Sequence, residues 1–248
     1  MHIVVVVPHP DEETLRFGGT IAKYVKAGHK ATIIVLTKGG LGHARMSSEE
    51  LKKARTEEAT KAARILGADI IVMDDFEDRA VPTDPYALGE VLVDPLRALR
   101  PDIVLCNDPT RLPIRDQSNA ALGVLSAVEL LYLPLLEAKN PPAPTPDVYC
   151  LAESQKPDVF IDITDVMDTR IAAMRCYKTQ IEGAWELYWG PRSPDQMPDA
   201  RAAEEIWIQR ELKTEAWWGK QSGVEYAEAY VAFKSPMKKA RSAFPTRE

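Results

Sequence analysis

The chain has 248 residues, is 45% hydrophobic and 27% charged, and carries a formal charge of −6, enough apolar content for a large core in one α/β domain. The acidic balance, with no basic patch interleaved with aromatics, argues against binding nucleic acid or an anionic membrane, and Lys238, Lys239 and Arg241 read as a solvated tail. No run approaches the roughly 18 apolar residues of a membrane span, and the N-terminus enters an apolar segment without a charged leader and cleavage site.

In chain order, Ile3 to Val7 is a continuous apolar run without alternation, the pattern of a strand covered on both faces in a parallel sheet. It stops at Pro8-His9-Pro10-Asp11-Glu12-Glu13, and in such sheets ligands sit beyond the carboxyl ends of the strands. A helix is expected over Glu13 to Ala27 with Gly28 as its stop, then a strand over Ala31 to Leu36 and a glycine-rich loop from Thr37 to His43. Ser47 or Ser48, with Glu50 or Glu49 near the third position, caps a helix running to Leu66 before Gly67. Ile70 to Met73 reads as a short strand, Pro85 to Leu99 as a helix, and Ile103 to Cys106 as a strand followed by the polar loop Asn107 to Gln117. Ser118 to Leu136 reads as a helix that Pro134 ends early, and Asn140 to Pro146 as a proline-rich surface connection before another strand-like segment. Val159 to Ile163 is a strand, and Thr164 can cap a helix through about Gln180. From about residue 183 the chain turns irregular and aromatic, with Trp185, Trp189, Trp207, Trp217 and Trp218 and one helix near Asp199 to Leu212. These indoles read as packing or subunit contacts. The alternation predicts right-handed crossovers and a three-layer α/β/α sandwich on a Rossmann-like, mostly parallel sheet, one domain over 1–248.

The chemistry concentrates in His9-Pro10-Asp11-Glu12. Imidazole and carboxylate suit Zn²⁺ or a similar divalent ion, and a catalytic zinc site has about three protein ligands plus water. His9 and Glu12 are two candidate ligands, and Asp11 between them is placed to take a proton from the bound water. The alternative is a stiff turn leading into an acidic helix N-terminus. Of the other histidines, His2 and His29 read as structural, whereas His43 lies in a loop on the same sheet edge as His9. Cys106, Cys150 and Cys176 have no paired Cys-x-x-Cys spacing, so reduced core thiols in a cytoplasm are expected, not a disulfide framework or metal knuckle.

The order of motifs resembles the PIG-L/LmbE-like family: His9-Pro10-Asp11-Glu12-Glu13, Gly18-Gly19-Thr20, Arg55-Thr56-Glu57-Glu58, Ile161-Asp162-Ile163-Thr164-Asp165, Thr179-Gln180 and Tyr226-Ala227-Glu228. The resemblance implies a zinc-dependent deacetylase of an N-acetylglucosamine-like or related amide substrate, with His9 as first metal ligand, Asp11 as general base and Arg55 binding substrate. Glu12 stands where the family has an aspartate ligand. Ile114-Arg115-Asp116-Gln117 stands where it has His-x-Asp-His, which places Gln117 at the third ligand position and Asp116 beside the substrate. Tyr177 replaces a later family histidine. The amide of Gln117 is a weaker zinc donor than imidazole, so Asp116 or His43 is an alternative third ligand. A second reading follows from these replacements: a metal-independent hydrolase, for instance of glycosidic bonds using Asp11 and Glu12, or a ligand-binding module. The resemblance and the aromatic C-terminal third together suggest a homo-oligomer.

Overall fold

The computed structural model describes residues 1–111, 115–134, 136–153, 155–185, 187 and 199–233. Ile114, Trp189 and the basic tail at Lys238, Lys239 and Arg241 lie outside them. Strands β1 (His2–Val7), β2 (Lys30–Val35), β3 (Asp69–Val72), β4 (Ile103–Cys106) and β5 (Asp147–Leu151) run parallel. β7 (Ala227–Phe233) lies antiparallel between β5 and β6 (Val159–Asp162), giving the order β3-β2-β1-β4-β5-β7-β6. The chain reverses its direction of growth across the sheet at β1, so a crevice opens between the carboxyl ends of β1 and β4, the position such sheets use for ligands.

β1 shows why its sequence has no period. Ile3, Val5 and Val7 enter one core with α1 (Glu12–Lys26), α2 (Ser48–Leu66) and α5 (Met167–Met174), while Val4 and Val6 enter the other with α3 (Pro85–Leu99) and α4 (Arg115–Leu130). All five are completely buried, each worth up to about 1.5–3 kcal/mol of apolar transfer. At α2 the expected box forms: Ser47 accepts the Glu50 N–H, Glu50 returns to the Ser47 N–H, and Gly67 closes the helix in the left-handed region at φ 77°.

The structure departs from the sequence reading in four places. α4 begins at Arg115 instead of Ser118, which moves Asp116 and Gln117 from a loop into its first turn. It ends at Leu130 because buried Arg97 of α3 donates to the carbonyls of Leu130, Leu131 and Leu133. The helix expected from Thr164 to Gln180 is divided into a 3-10 turn (Thr164–Val166), α5 and α6 (Lys178–Ala184). Glu58 of α2 causes the second break by accepting the N–H and hydroxyl of Thr179 at 2.9 and 2.6 Å, so α6 starts afresh there. Thr164 caps nothing; its hydroxyl pairs with the backbone of Tyr226. Finally, α7 (Ala200–Glu211) is followed by α8 (Lys213–Ser222) and β7, which the aromatic composition had hidden.

β7 also explains Gly18-Gly19. Glu228 accepts the N–H groups of Gly19 and Thr20 at 2.8 and 3.0 Å, and Arg170 of α5 donates to the Thr14 and Leu15 carbonyls and pairs with Glu215 at 2.8 Å. A Cβ on Gly19 would stand 2.8 Å from the Glu228 carboxylate and 2.6 Å from Ile163, so only glycine allows α1 to approach β7 this closely.

Candidate active site at the carboxyl ends of β1 and β4

Pro8 and His9 leave β1, and Asp11 is the N-terminal flanking residue of α1 at φ 110°, ψ −36°. That backbone is rare for a residue with a Cβ and costs about 1–3 kcal/mol unless its surroundings impose it. Here they do. The Asp11 N–H donates at 3.0 Å to Glu13, a completely buried carboxylate that also receives the hydroxyls of Thr14 and Tyr177. Tyr177 thus anchors the support under Asp11, a role for the residue that replaces the family histidine.

The His9 imidazole stands between two sets of acceptors. Its Nδ1 lies 2.9 Å from Glu12 Oε1; its Nε2 lies 2.9 Å from Asp116 Oδ2 and 3.2 Å from Asp78 Oδ1. Burial opposes the charged ring, but the contacts with Asp116, Asp78 and Glu12 outweigh it and hold the imidazole well above its usual range. Glu12 is fixed in turn by Gln117 Nε2 at 2.7 Å and by Asn107 Nδ2 at 2.8 Å. Backbone donors orient the other two acids: Arg79 N–H to Asp116 at 2.8 Å and Leu41 N–H to Asp78 at 3.0 Å. For Asp78 the pull of burial toward the neutral acid is overcome by His9, so its carboxyl titrates below the ordinary range.

His9, Asp11, Glu12, Asp78, Asp116 and Gln117 all line one cavity of about 600 Å³. Asp11 is buried, and burial raises its carboxyl well above the usual range, against the opposing charge of Arg55. Arg55 is also buried in the cavity wall; it donates to Gln180 and to the Gly42 carbonyl, and its Nε has no partner among the described residues. The glycine-rich loop makes its seat, since a Cβ on Gly39 or Gly42 would come within 2.8 or 2.6 Å of the guanidinium.

The structure therefore brings together all six residues marked from the sequence: His9, Asp11, Glu12, Arg55, Asp116 and Gln117. It adds Asp78, which the sequence reading missed. Asp78 sits in an acidic loop of ordinary composition, and only the turn at Arg79, at φ 65°, carries it to His9. His43 is placed elsewhere: its Nδ1 accepts the N–H groups of Arg45 and Met46, and its ring faces Glu182 outside the cavity lining. His2 is held by the Leu99 carbonyl and Thr32, and His29 packs on Tyr24; Cys106 and Cys150 lie in the core as expected, whereas Cys176 is only half-buried.

The donors fit a divalent cation in two ways. On the Nε2 side, His9, Asp78 and Asp116 each offer one ligand atom within 4.8 Å of the others, and imidazole with two carboxylates suits zinc or a neighbouring ion. On the Nδ1 side, His9, Glu12 and the Gln117 amide converge at 2.7–3.5 Å, and the buried Gln117 Oε1 has no partner among the described residues. An amide's nitrogen and oxygen are interchangeable by a half-turn, which would present that oxygen to an ion.

Comparison with known proteins places the fold and the family. Residues 4–128 match the model of the PIG-L family, GlcNAc-PI de-N-acetylase. A diacetylchitobiose deacetylase from Thermococcus kodakarensis is 32% identical over 238 residues, covering 91% of this chain and 80% of that protein. A 4-oxalmesaconate hydratase from Pseudomonas putida is 30% identical over 205 residues, covering 75% of this chain and 76% of that protein. The solved N,N'-diacetylchitobiose deacetylase of Pyrococcus horikoshii superposes with a TM-score of 0.77 at 24% identity, covering 94% of this chain and 83% of that one. The match of fold, motif order and family model shows that this chain belongs to the PIG-L family.

Proposed function

We propose that the protein is a metal-dependent hydrolase that removes the acetyl group of an N-acetylglucosamine-like amide. The observation that carries this is a buried carboxyl, Asp11, opening on the same cavity as an imidazole ringed by carboxylates. His9, Asp78 and Asp116 would hold the ion, with Glu12 fixing the ring from Nδ1 in the carboxylate–histidine arrangement common around metals. When bound, a divalent ion supplies Lewis acidity and a water of lowered pKa.

Asp11 takes the proton of the attacking water and returns it to the leaving amine nitrogen. Its environment favours both roles, because desolvation makes it a stronger base than an exposed aspartate and a usable acid once protonated. Arg55 orients the sugar through its unshared Nε. Gln117 and Asn107 keep Glu12 aligned on His9. The partner is then a small N-acylated sugar or related amide.

A second ligand set, His9, Glu12 and Gln117, is favoured by the unsatisfied Gln117 oxygen. Metal content and acetate release, measured before and after chelation and zinc readdition, test the function. Acetate release that survives full chelation would refute metal dependence and favour the metal-free alternative; absence of any release from N-acetylglucosamine or diacetylchitobiose, with water added to an unsaturated acid instead, would favour hydratase chemistry like that of the Pseudomonas relative. The ligand sets separate by mutation. If Asp78 and Asp116 are ligands, Asp78→Asn weakens zinc binding at least tenfold and Gln117→His changes it little; tighter binding by Gln117→His with Asp78→Asn unaffected establishes the other set.

A further inference from the structure

Cys106 closes β4, and Cys150 lies one residue before the end of β5. The two are register partners on adjacent parallel strands, and both side chains enter the core under α3 and α4. They stand 44 positions apart in sequence, so no local spacing marks them as a pair; the parallel crossover brings them together with their sulfurs 3.5 Å apart. Neighbouring strands lie about 4.7–4.9 Å apart, which puts paired Cα atoms inside the roughly 4.4–6.8 Å that a disulfide spans. Closing the sulfurs from 3.5 Å to the bonded distance of about 2.0 Å is then within reach of side-chain rotation, with little movement of the strands.

The pair sits directly behind the candidate site. Asn107, the residue after Cys106, donates to Glu12 at 2.8 Å, and Glu12 in turn meets His9 Nδ1 at 2.9 Å. In the sheet β4 lies between β1 and β5, so drawing the end of β4 toward β5 carries Asn107 away from β1 and from Glu12. Cys106 is completely buried; its contact with the Cys150 sulfur, and then burial, hold its thiol well above the usual range. Cys150 is 5% exposed, which makes it the sulfur that a water-sized oxidant meets first. Cys176 stands apart, between α5 and α6, with its thiol directed at the Ala172 carbonyl.

We propose that Cys106 and Cys150 are a redox pair: a hydroperoxide joins them, tying β4 to β5 and loosening the hold of Asn107 on Glu12. The Cys150 thiolate attacks one peroxide oxygen, the O–O bond breaks, and one water leaves with a sulfenic acid in place of the thiol. Cys106 then attacks that sulfur, the S–O bond breaks, and the second water leaves as the S–S bond forms. The two thiols have lost two electrons and two protons, and the peroxide has become two waters. A dithiol reverses the step by exchange. Formation of the bond stands on the strand geometry alone, whereas its effect on zinc rests on the proposed role of Glu12 in fixing the His9 ring.

The test treats the folded, full-length protein with hydrogen peroxide and maps its thiols by mass spectrometry of tryptic peptides. The expected product carries a bond between Cys106 and Cys150 with Cys176 still reduced. Its unfolding midpoint should rise by at least about 5 °C, because the bond closes a long loop. Its zinc affinity, measured by chelator competition, should fall roughly tenfold, the lower end of what losing an outer partner of a metal-binding histidine costs. Dithiothreitol should reverse both changes. Cys106→Ala and Cys150→Ala, each checked by circular dichroism, should bind zinc like the parent and lose the response to peroxide, while Cys176→Ala should keep it. Absence of the bond at every peroxide dose, or oxidation of either sulfur to a sulfinic acid in its place, would overturn the pair. A bond that leaves zinc affinity unchanged would overturn its coupling to the site. A bond that lowers zinc affinity in a protein releasing no acetate from N-acetylated sugars would uphold the pair and refute the hydrolysis.

Discussion

Asp11 combines two unfavourable features, a left-handed backbone and a desolvated carboxyl, and each is held in place by neighbours instead of being relieved. Glu13 fixes the backbone, Tyr177 and Thr14 fix Glu13, and burial with the Glu12 and Glu13 charges keeps the Asp11 carboxyl high against Arg55. Strain of this kind persists where surroundings over-determine it, which is characteristic of reacting groups. Asp11→Asn should lower acetate release by roughly 10²- to 10⁴-fold with the unfolding midpoint unchanged or raised, since a neutral amide removes the buried charge; turnover within a factor of three of the parent would exclude Asp11 as the base. His9, Asp11 and Glu12 were legible because adjacent residues of a rigid turn share one place. Asp78 was not, because nothing local marks one acid among several in an acidic loop.

Elements, not single residues, bring the rest of the site together. α4 starts at Arg115, so Asp116 and Gln117 emerge from the first turn of a helix and face opposite sides of the His9 ring. The sequence reading began that helix at Ser118, a good capping residue, and so read both as loop. The glycine-rich loop after β2 works by absence: Gly39 and Gly42 leave the space that the Arg55 guanidinium fills, and Gly183 of α6 in turn lies against the Gly42 carbonyl. Gly42→Ala should therefore push Arg55 off its seat. The guanidinium is a flexible end that can shift, so the expected effect is a several-fold rise in KM with a change of less than about 1 kcal/mol in stability; an unchanged KM would show that Arg55 does not touch the substrate. From sequence, these glycines signalled only a turn.

At the scale of the whole molecule, the outer edge of the sheet is locked to α1 by charge. Arg170, completely buried, ties the α1 carbonyls to Glu215 of α8 and lies 4.0 Å from Glu228 of β7. Arg170→Leu would leave two buried carboxylates uncompensated, and urea unfolding should show a loss of about 3–5 kcal/mol; a loss under about 1 kcal/mol would mean the network is dispensable. The contrast is Asp165, half exposed between Lys23 and Lys26, whose carboxyl is lowered to about 2 chiefly by those lysines. A lowered acid stabilises the fold above its ordinary value of 3.8 and loses that contribution as pH falls through about 2. Solvent screening limits the effect, so Asp165→Asn should cost under about 1 kcal/mol at neutral pH, less at high salt, and nothing near pH 1. The sequence by itself determined the parallel sheet, the two-sided burial of β1 and the turn carrying His9, Asp11 and Glu12, because apolar runs, helix signals and contiguous motifs are properties of neighbouring residues. Only the tertiary structure decided the place of β7, the division of the helix after Thr164 and the arrival of Asp78 at His9. Each of those depends on a carboxylate, guanidinium or backbone donor supplied from a distant part of the chain, and no local pattern records where such a partner will come from.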